Sequence, residues 1–404
     1  MILIAFAVLL LLFRFGSALR KKVFRIYISY ADLFFVLFFI FLWFSSINSL
    51  NKEHAFFGSI FWQEGFYTYR DYLVLFLVAS VFGHSKSLIG ISYILMPTTI
   101  AISIYAIIEA FFPGIQSFTN VGLIGRSGAT TGNAVILGAY LTMPILIFLT
   151  LLVRSVYGRR SSFIALGSLI LAVLALVFTF SRGSWLAVLI VSVVVVGWSW
   201  QRRPRISKRF IALSVVILLF IAIMISLGPR PPQNIVARAF SAFNPSEPTA
   251  ETRLVAWRQA FRVIAAFPVW GTGIDSFSLG VASISPKSTD GVLDKPHNFF
   301  LEVLATMGVL SFLAYLSALA IIFYSGWKMV RQAKPDYQIE AAGMAASGAY
   351  LLALFFLFST INNAPLFYVI LGLTAAGARE TGTLPILRLA DFQWGSDEQT
   401  GQAS

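Results

Sequence analysis

Long apolar runs separated by short polar turns constrain the fold of this chain more than any other feature of its sequence. One run extends from Ala134 to Val153 without a charged residue, close to the length of about 20 residues that a helix needs to cross a bilayer. Charged residues make up only 12% of the chain, whereas soluble proteins contain about 25%. The sequence therefore predicts an all-α polytopic membrane protein.

The apolar runs give about eleven predicted transmembrane helices, or about twelve if one precedes the recorded first residue. Their approximate bounds are 2–19, 23–47, 70–84, 88–112, 134–154, 162–180, 184–200, 210–228, 298–324, 341–361 and 365–378. Residues 1–228 accordingly form an N-terminal group of transmembrane helices, and residues 298–378 form a C-terminal group. Residues 379–404 are predicted to be a disordered cytoplasmic tail, because the end of the chain is polar and rich in small residues.

The segment 229–297 between the two groups is predicted to be a long loop that contains one helix. The helix is indicated by TAETRLVAWRQAFRVIAAF, in which Arg253, Trp257 and Phe261 recur every four residues and share one face. The sequence PVWGTG then ends it. The loop is also rich in basic residues, which favours either an anionic ligand or contact with anionic lipid headgroups.

The basic residues indicate how the helices are oriented. Four short segments are rich in lysine and arginine: 20–25, 154–160, 201–209 and 328–334. Alternation of the predicted helices places all four on one side, which the positive-inside rule assigns to the cytoplasm, and places the long loop on the opposite side. The net charge of +13 therefore reflects membrane topology and contact with lipids, and no nucleic-acid partner is expected.

Two arginines lie in turns between apolar segments on the side of the long loop. Arg182 lies in SRGSW, and an arginine so close to the bilayer is usually paired or functional. Its guanidinium fork suits phosphate oxygens, although an arginine that reaches the headgroups is the alternative. Arg126 lies in a turn rich in glycine and threonine whose backbone N–H groups suit an anion, with an ordinary flexible turn as the alternative.

His297 begins the stretch HNFFLE at the start of a predicted helix, on the same side as Arg182. Imidazole titrates near neutral pH, so His297 is a candidate general base, and a capping or interfacial residue is the alternative. Asn298 is a candidate helix cap. Glu302 lies about 7.5 Å further along the helix, where it either pairs with a buried arginine or holds its proton. No metal site is predicted, since the histidines are scattered along the chain.

Three segments in this order resemble the motifs of the O-antigen ligase and O-antigen polymerase superfamily of bacterial membrane glycosyltransferases. The first is SRGSWLA, which resembles a Ser-Arg-Gly turn between two helices. The second runs from Arg253 through Trp257 to a proline and a Gly-x-Gly, and the third is the helix start PHNFFLEVLATMGVL. The resemblance covers residues 126–325.

The resemblance implies that a glycan linked through diphosphate to undecaprenol is moved to a sugar hydroxyl at the periplasmic face of the bacterial inner membrane. It implies arginines that hold the diphosphate and a histidine, His297, that activates the acceptor. The diphosphate-binding candidates are Arg126, Arg182 and Arg253, and the supporting candidates are Trp257, Asn298 and Glu302. Direct attack would invert the anomeric carbon, without a metal or other cofactor.

The motifs leave the acceptor open. In ligases the acceptor is lipid A–core, and in polymerases it is another lipid-linked repeat of O-antigen or exopolysaccharide. We favour the ligase. A transporter that attracts anions with the same cationic surface is a more remote alternative, because its charges would line the centres of the helices, whereas most ionisable residues here lie at helix ends.

Overall fold

The computed structural model describes residues 23–84, 86–112, 126–202, 248–285, 293–332 and 338–393. These residues form twelve α-helices, a short 3-10 helix at Ala129–Thr131 and one two-stranded sheet. The strands are β1 (Val23–Ser29) and β2 (Ile386–Gln393), and the helices are α1 (Tyr30–Ile47), α2 (Lys52–Phe57), α3 (Phe66–Phe82), α4 (Ser87–Phe111), α5 (Ala134–Val153), α6 (Arg159–Phe178), α7 (Arg182–Arg202), α8 (Pro248–Ala266), α9 (Phe277–Ile284), α10 (Phe299–Arg331), α11 (Gln338–Leu354) and α12 (Ala364–Glu380).

Six of these helices are long and apolar enough to cross a membrane: α1, α4, α5, α6, α7 and α10. The chain is therefore a multi-pass helical membrane protein, and the count of about eleven helices stays a prediction. Three helices of 17 residues, α3, α11 and α12, overlap further predicted spans. The predicted spans 2–19 and 210–228 lie outside the described residues.

The helices pack as a bundle around α5, most of which is buried inside the protein. The pairs α1–α10, α3–α12, α5–α11 and α4–α6 make the most extensive contacts. The ring of Phe35 in α1 contacts those of Phe76 in α3, Tyr315 in α10 and Tyr368 in α12, at centroid distances of 4.3, 5.9 and 6.1 Å. Because lipid tails are as apolar as these side chains, such complementary packing holds the helices together.

The bundle has two chemically different ends. At one end α5, α7 and α10 begin and α6 finishes, as the hydrogen bond from the Ser127 N–H to the Phe178 carbonyl shows. At the other end lie the basic residues Arg154, Arg159 and Arg331, about 30 Å away along α5. The basic helix ends thus lie opposite the end at which α5, α7 and α10 begin, and the side of the membrane that each end faces stays a prediction.

The predicted helix start at residue 23 is wrong, because β1 occupies Val23–Ser29 and α1 begins at Tyr30. The strand is rich in β-branched and aromatic residues, which favour extended structure, and it pairs antiparallel with β2. Ser29 and Asp32 then form a capping box: the Ser29 N–H donates to Asp32 Oδ2 at 2.8 Å, and the Asp32 N–H donates to Ser29 Oγ at 3.1 Å.

The predicted disorder of the tail 379–404 is wrong for its first part. Helix α12 extends to Glu380, and Ile386–Gln393 form β2. The polar composition of the tail does not reveal this strand, because its backbone groups find their hydrogen-bonding partners in β1, at the far end of the sequence. Residues 394–404 lie outside the described residues.

The predicted span 341–361 ends early, because α11 stops at Leu354 and a turn precedes α12. Asn363 anchors this turn by donating from Nδ2 to the Ile136 carbonyl of α5 at 3.0 Å. Pro365 lies in the first turn of α12, where the missing N–H leaves no helical bond unmade. The turn carries Phe356 and Phe358 to the end of the bundle at which α5 begins.

Helix α10 is kinked at Gly308, whose φ of 81° and ψ of 172° are not helical. The carbonyl oxygen of Val269 occupies the space beside this glycine, and the Val309 N–H donates to the Pro268 carbonyl at 3.0 Å. The segment PVWGTG after α8 therefore docks into the kink. The kink separates a short first segment of α10, which begins two residues after His297, from the long segment that crosses the bundle.

Candidate active site

Three arginines and a histidine from distant parts of the chain line one cleft, at the end of the bundle where α5, α7 and α10 begin. They are Arg126, Arg182, Arg253 and His297. The turn before α12 supplies Phe356 and Phe358 to the lining of the same cleft. The structure thus brings together the three diphosphate-binding candidates and the candidate base that the sequence indicates.

Arg126 is held in place by its own loop. Its Nε donates to the Thr179 carbonyl at the end of α6, at 2.9 Å. The buried carboxylate of Glu109 in α4 fixes the next three residues, because its Oε2 accepts from Ser127 Oγ at 2.6 Å, the Gly128 N–H at 3.0 Å and the Ala129 N–H at 2.7 Å. Those backbone donors are therefore occupied by a protein carboxylate, which corrects the expectation that they receive an anionic ligand.

Arg182 is the first residue of α7. The positive end of the helix dipole lies at this position, so the guanidinium and the helix end attract an anion together. The preceding turn is fixed by Trp185, whose Nε1 donates to the Leu176 carbonyl at 2.8 Å. Gly183 permits close packing, since a Cβ there would lie 3.0 Å from the Phe356 side chain.

Arg253 lies near the start of α8, where its guanidinium carbon stands 5.9 Å from the centroid of the Phe356 ring. The helix predicted for this segment is confirmed as α8. Trp257 follows one turn later but does not line the cleft. It lines an adjoining apolar groove, where its indole Nε1 is buried and has no hydrogen-bond partner within the described part of the chain.

The apolar groove runs from the cleft between α7, α8 and α11. Its lining residues are Gly183, Leu186, Ala187, Ile190, Trp257, Leu352, Phe355 and Phe356. Phe356 lines both the groove and the cleft. A molecule with an anionic head and an apolar chain would therefore find both of its parts accommodated side by side.

His297 is half-buried at the end of the cleft, with its ring 5.4 Å from that of Phe358. Its φ of 51° lies in the left-handed region, which is uncommon for a residue other than glycine. Burial lowers the pKa of the His297 imidazole below its ordinary value of 6.5, the Arg253 guanidinium lowers this pKa further, and the Asp294 carboxylate opposes both. The imidazole is therefore neutral at neutral pH and able to accept a proton.

Asn298 and Glu302 lie beside the cleft and not in its lining. Asn298 is the N-cap of α10, because its Oδ1 accepts from the Leu301 N–H at 3.1 Å. Glu302 is buried and forms an ion pair with Lys295, at 2.6 Å between Oε1 and Nζ. The sequence left open whether Glu302 pairs with a buried arginine or holds its proton, and the structure shows a pair with a lysine instead of an arginine.

Sequence reasoning missed Lys295 and its surroundings. The Lys295 ammonium is almost fully buried and also lies 3.2 Å from Asp275 Oδ1 and 3.9 Å from Glu64 Oε2. Three carboxylates from distant positions cannot be recognised as neighbours from their spacing, and the only available signal was a lysine two residues before the candidate base. Within the described residues, no group of three or more histidine, aspartate or glutamate side chains is arranged to hold a metal ion.

Part of the chain matches a known protein family. Residues 167–316 match the family model of the O-antigen ligase. This region is similar to the O-antigen ligase family. The match confirms the resemblance found in the sequence, and the matched region includes Arg182, Arg253 and His297, whereas Arg126 lies before it. No curated protein matches the chain.

The family match supports a glycosyltransferase-like activity in lipopolysaccharide biosynthesis, with glycan and lipid-linked substrates in general. The matched range begins within α6 and ends within α10, so it contains α7 and α8, which line the apolar groove together with α11. Helix α11 and the cleft residues Arg126, Phe356 and Phe358 lie outside the matched range.

Proposed function

We propose that this protein is an O-antigen ligase that transfers a glycan from undecaprenyl diphosphate to a sugar hydroxyl of lipid A–core, with inversion and without a metal. The observation that carries this proposal is the cleft in which Arg126, Arg182 and Arg253 lie with His297. The reaction takes place at the periplasmic face of the bacterial inner membrane, since the cleft lies at the end of the bundle opposite the basic helix ends.

The arginines address the leaving group. Transfer from a lipid diphosphate releases a diphosphate anion, so the chemical step requires stabilisation of growing negative charge more than a proton. Arg182 and Arg253 supply positive charge that stabilises this leaving group. They lie in a partly buried cleft, where the attraction between the charges is screened less than in water. Arg126 adds a third positive charge, held by its hydrogen bond to the Thr179 carbonyl.

His297 addresses the nucleophile. A sugar hydroxyl is a weak nucleophile, and removal of its proton in the transition state accelerates attack by about 10²–10⁴-fold. The lowered pKa of His297 keeps the imidazole neutral and so ready to take this proton. The hydroxyl attacks the anomeric carbon, its proton passes to the imidazole, and the bond to the diphosphate oxygen breaks.

The apolar groove favours a lipid-linked donor over a nucleotide sugar. The donor's diphosphate would lie among the arginines while the first part of the polyprenyl chain follows α7 past Trp257. Leu186→Trp, in the groove, is expected to raise the donor KM severalfold. Leu189→Trp on the same helix is the matched control, since Leu189 is 61% exposed and lies outside the groove. Equal effects of the two changes would contradict this placement of the chain.

A deletion strain distinguishes the ligase from a repeat-unit polymerase. Loss of a ligase removes all glycan-capped lipopolysaccharide, whereas loss of a polymerase leaves lipid A–core that carries a single repeat. We expect the first pattern and its reversal by the intact gene. A single-repeat product would instead assign the protein to the polymerases of the same family.

A further inference from the structure

A buried ionic cluster lies beside the candidate base, His297, and is centred two residues before it in the chain. Its centre is Lys295, whose side chain is only 3% exposed. The Lys295 Nζ lies 2.6 Å from Glu302 Oε1, 3.2 Å from Asp275 Oδ1 and 3.9 Å from Glu64 Oε2. The aromatic rings of Trp62 and Phe358 close over the ammonium, at 5.6 and 5.4 Å from their centroids. None of the three carboxylates lines the cleft.

The three carboxylates belong to three separate parts of the fold. Glu302 lies in the first segment of α10, Asp275 lies in the turn before α9, and Glu64 lies just before α3. Two of them are anchored in turn: Asp275 Oδ2 accepts from the Ser59 N–H at 2.6 Å, and Glu64 Oε1 accepts from the Tyr72 hydroxyl at 3.0 Å. Lys295 thus ties the segment that carries His297 to three fixed points.

The same segment is held at its other positions too. Asp294 Oδ2 accepts from the indole Nε1 of Trp62 at 2.5 Å, and Asn298 caps α10. Between these ties, His297 adopts its left-handed backbone conformation. Such a conformation is strained and persists only where the surrounding structure enforces it. The contacts of Asp294 and Lys295 before His297, and the helix cap at Asn298 after it, hold the backbone in this strained conformation.

The charges explain why the cluster is stable when it is complete. Although burial disfavours the ammonium, Glu302, Asp275 and Glu64 together raise the pKa of Lys295, so the lysine stays charged. Burial also raises the pKa of Glu64 to about 7, so Glu64 takes up a proton near neutral pH and relieves the excess of negative charge. Loss of the lysine would leave the carboxylates without compensation, which is strongly destabilising for a buried group.

We propose that Lys295 is a positioning residue for His297: its buried ion pairs with Glu302 and Asp275, together with its contact with Glu64, hold the turn Asp294–Asn298 in the conformation that presents the imidazole to the cleft. Lys295 touches neither substrate nor cleft. It acts by fixing the direction of the His297 side chain, and a displacement of about 1 Å at such a group can lower a rate by about 10²-fold.

The first test does not depend on the reaction. The chain contains three histidines, His54, His84 and His297, whose modification by diethyl pyrocarbonate can be followed separately by mass spectrometry. In Lys295→Met, the modification rate of His297 is expected to rise severalfold while those of His54 and His84 stay unchanged. Glu302→Gln, which keeps the shape of the side chain and removes its charge, should act in the same direction if Lys295→Met fails to fold. Unchanged His297 reactivity in the folded variant would overturn the proposal.

The second test rests on the proposed function and measures transfer by the purified protein. Lys295→Met or Glu302→Gln is expected to lower kcat by about 10–100-fold with little change in the donor KM. In a His297→Ala background the same change should produce no further loss, because the group it positions is absent. An equal loss in both backgrounds would assign Lys295 a role independent of His297. Lys52→Met, at an exposed lysine, is the control.

The two tests separate the failure of this inference from the failure of the proposed function. If His297→Ala alone transfers glycan at the wild-type rate, the assignment of the base is wrong, and the labelling experiment still decides whether Lys295 positions that side chain. If His297→Ala is inactive and the Lys295→Met change alters neither labelling nor kcat, the base assignment stands and the positioning role is refuted.

Discussion

Replacement of Gly308 by alanine tests how the fold holds the candidate base. Gly308 lies at the kink of α10, with φ 81° and ψ 172°, a region of backbone space that is essentially limited to glycine. A Cβ at this position would stand 2.0 Å from the Val269 carbonyl oxygen and 2.5 Å from its carbon. Both are backbone atoms, so the clash cannot be relieved by rotating a side chain.

The magnitude follows from what must move. The strained backbone alone costs about 1–3 kcal/mol. Relief of the clash separates α10 from the segment after α8, which are joined by hydrogen bonds from the Thr272 N–H to the Ala305 carbonyl at 3.1 Å and from the Gly273 N–H to the Thr306 carbonyl at 2.8 Å. Each bond contributes about 1 kcal/mol. Gly308→Ala is therefore expected to destabilise the protein by about 3–5 kcal/mol.

The assay is thermal inactivation of the detergent-purified protein, followed as the loss of the monodisperse species, together with transfer activity below the transition. Gly167→Ala in α6 is the matched control, since a Cβ there meets no atom within 4 Å, and alanine is a better helix former than glycine. We expect Gly308→Ala to denature at a clearly lower temperature and Gly167→Ala to be unaffected or slightly stabilised. Equal stability of the two variants would refute the docking of PVWGTG into the kink.

Three further predictions concern the cleft. Arg253→Lys keeps the charge and removes the bidentate fork, so kcat/KM for the donor should fall at least tenfold, and unchanged kinetics would argue against a clamp. Glu109→Gln weakens the three hydrogen bonds that shape the Arg126 loop, so donor KM should rise. Arg126→Gln in the same background should then add little, and fully additive effects would show that Glu109 does not act through Arg126. The acid limb of kcat/KM should lie below pH 6.5, because the pKa of His297 is lowered, and Asp294→Asn should move it to still lower pH by removing the carboxylate that raises this pKa. A limb above pH 6.5 would contradict the neutral-base assignment.

Local chemistry in the sequence predicted much of the architecture. The apolar runs located α4, α5, α6 and α7 to within a few residues, because a bilayer fixes the length and composition of a helix that crosses it. The helix in the long loop was also predicted, from the four-residue recurrence that begins at Arg253. These features depend only on neighbouring residues.

Features that depend on distant partners were missed. Strand β1 has its hydrogen-bonding partner in β2, at the opposite end of the chain. The ion pairs of Lys295 join residues that are far apart in sequence, and the kink at Gly308 is filled by the backbone of another segment. The motifs in the sequence include Gly308 and Glu302, but they do not say why a glycine or a glutamate is needed there. The structure shows that Gly308 leaves room for the backbone of another segment and that Glu302 pairs with Lys295.

The meeting of the site residues in one cleft was predicted only in part. The predicted topology placed Arg126, Arg182 and His297 on one side of the membrane, but a membrane face is wide, and their meeting in one cleft depends on how α5, α7 and α10 pack. The placement of Trp257 illustrates the same limit, since a shared helix face with Arg253 did not reveal that the indole lines the apolar groove instead of the cleft.

The most direct test of the central claim is the rate of glycan transfer by purified His297→Ala, measured with undecaprenyl-diphosphate glycan and lipid A–core, beside the affinity of the same variant for the donor. We expect the rate to fall by about 10²–10⁴-fold while donor affinity stays within about threefold, because the arginines proposed to hold the diphosphate are unchanged. Transfer by His297→Ala at close to the wild-type rate would rule out His297 as the general base.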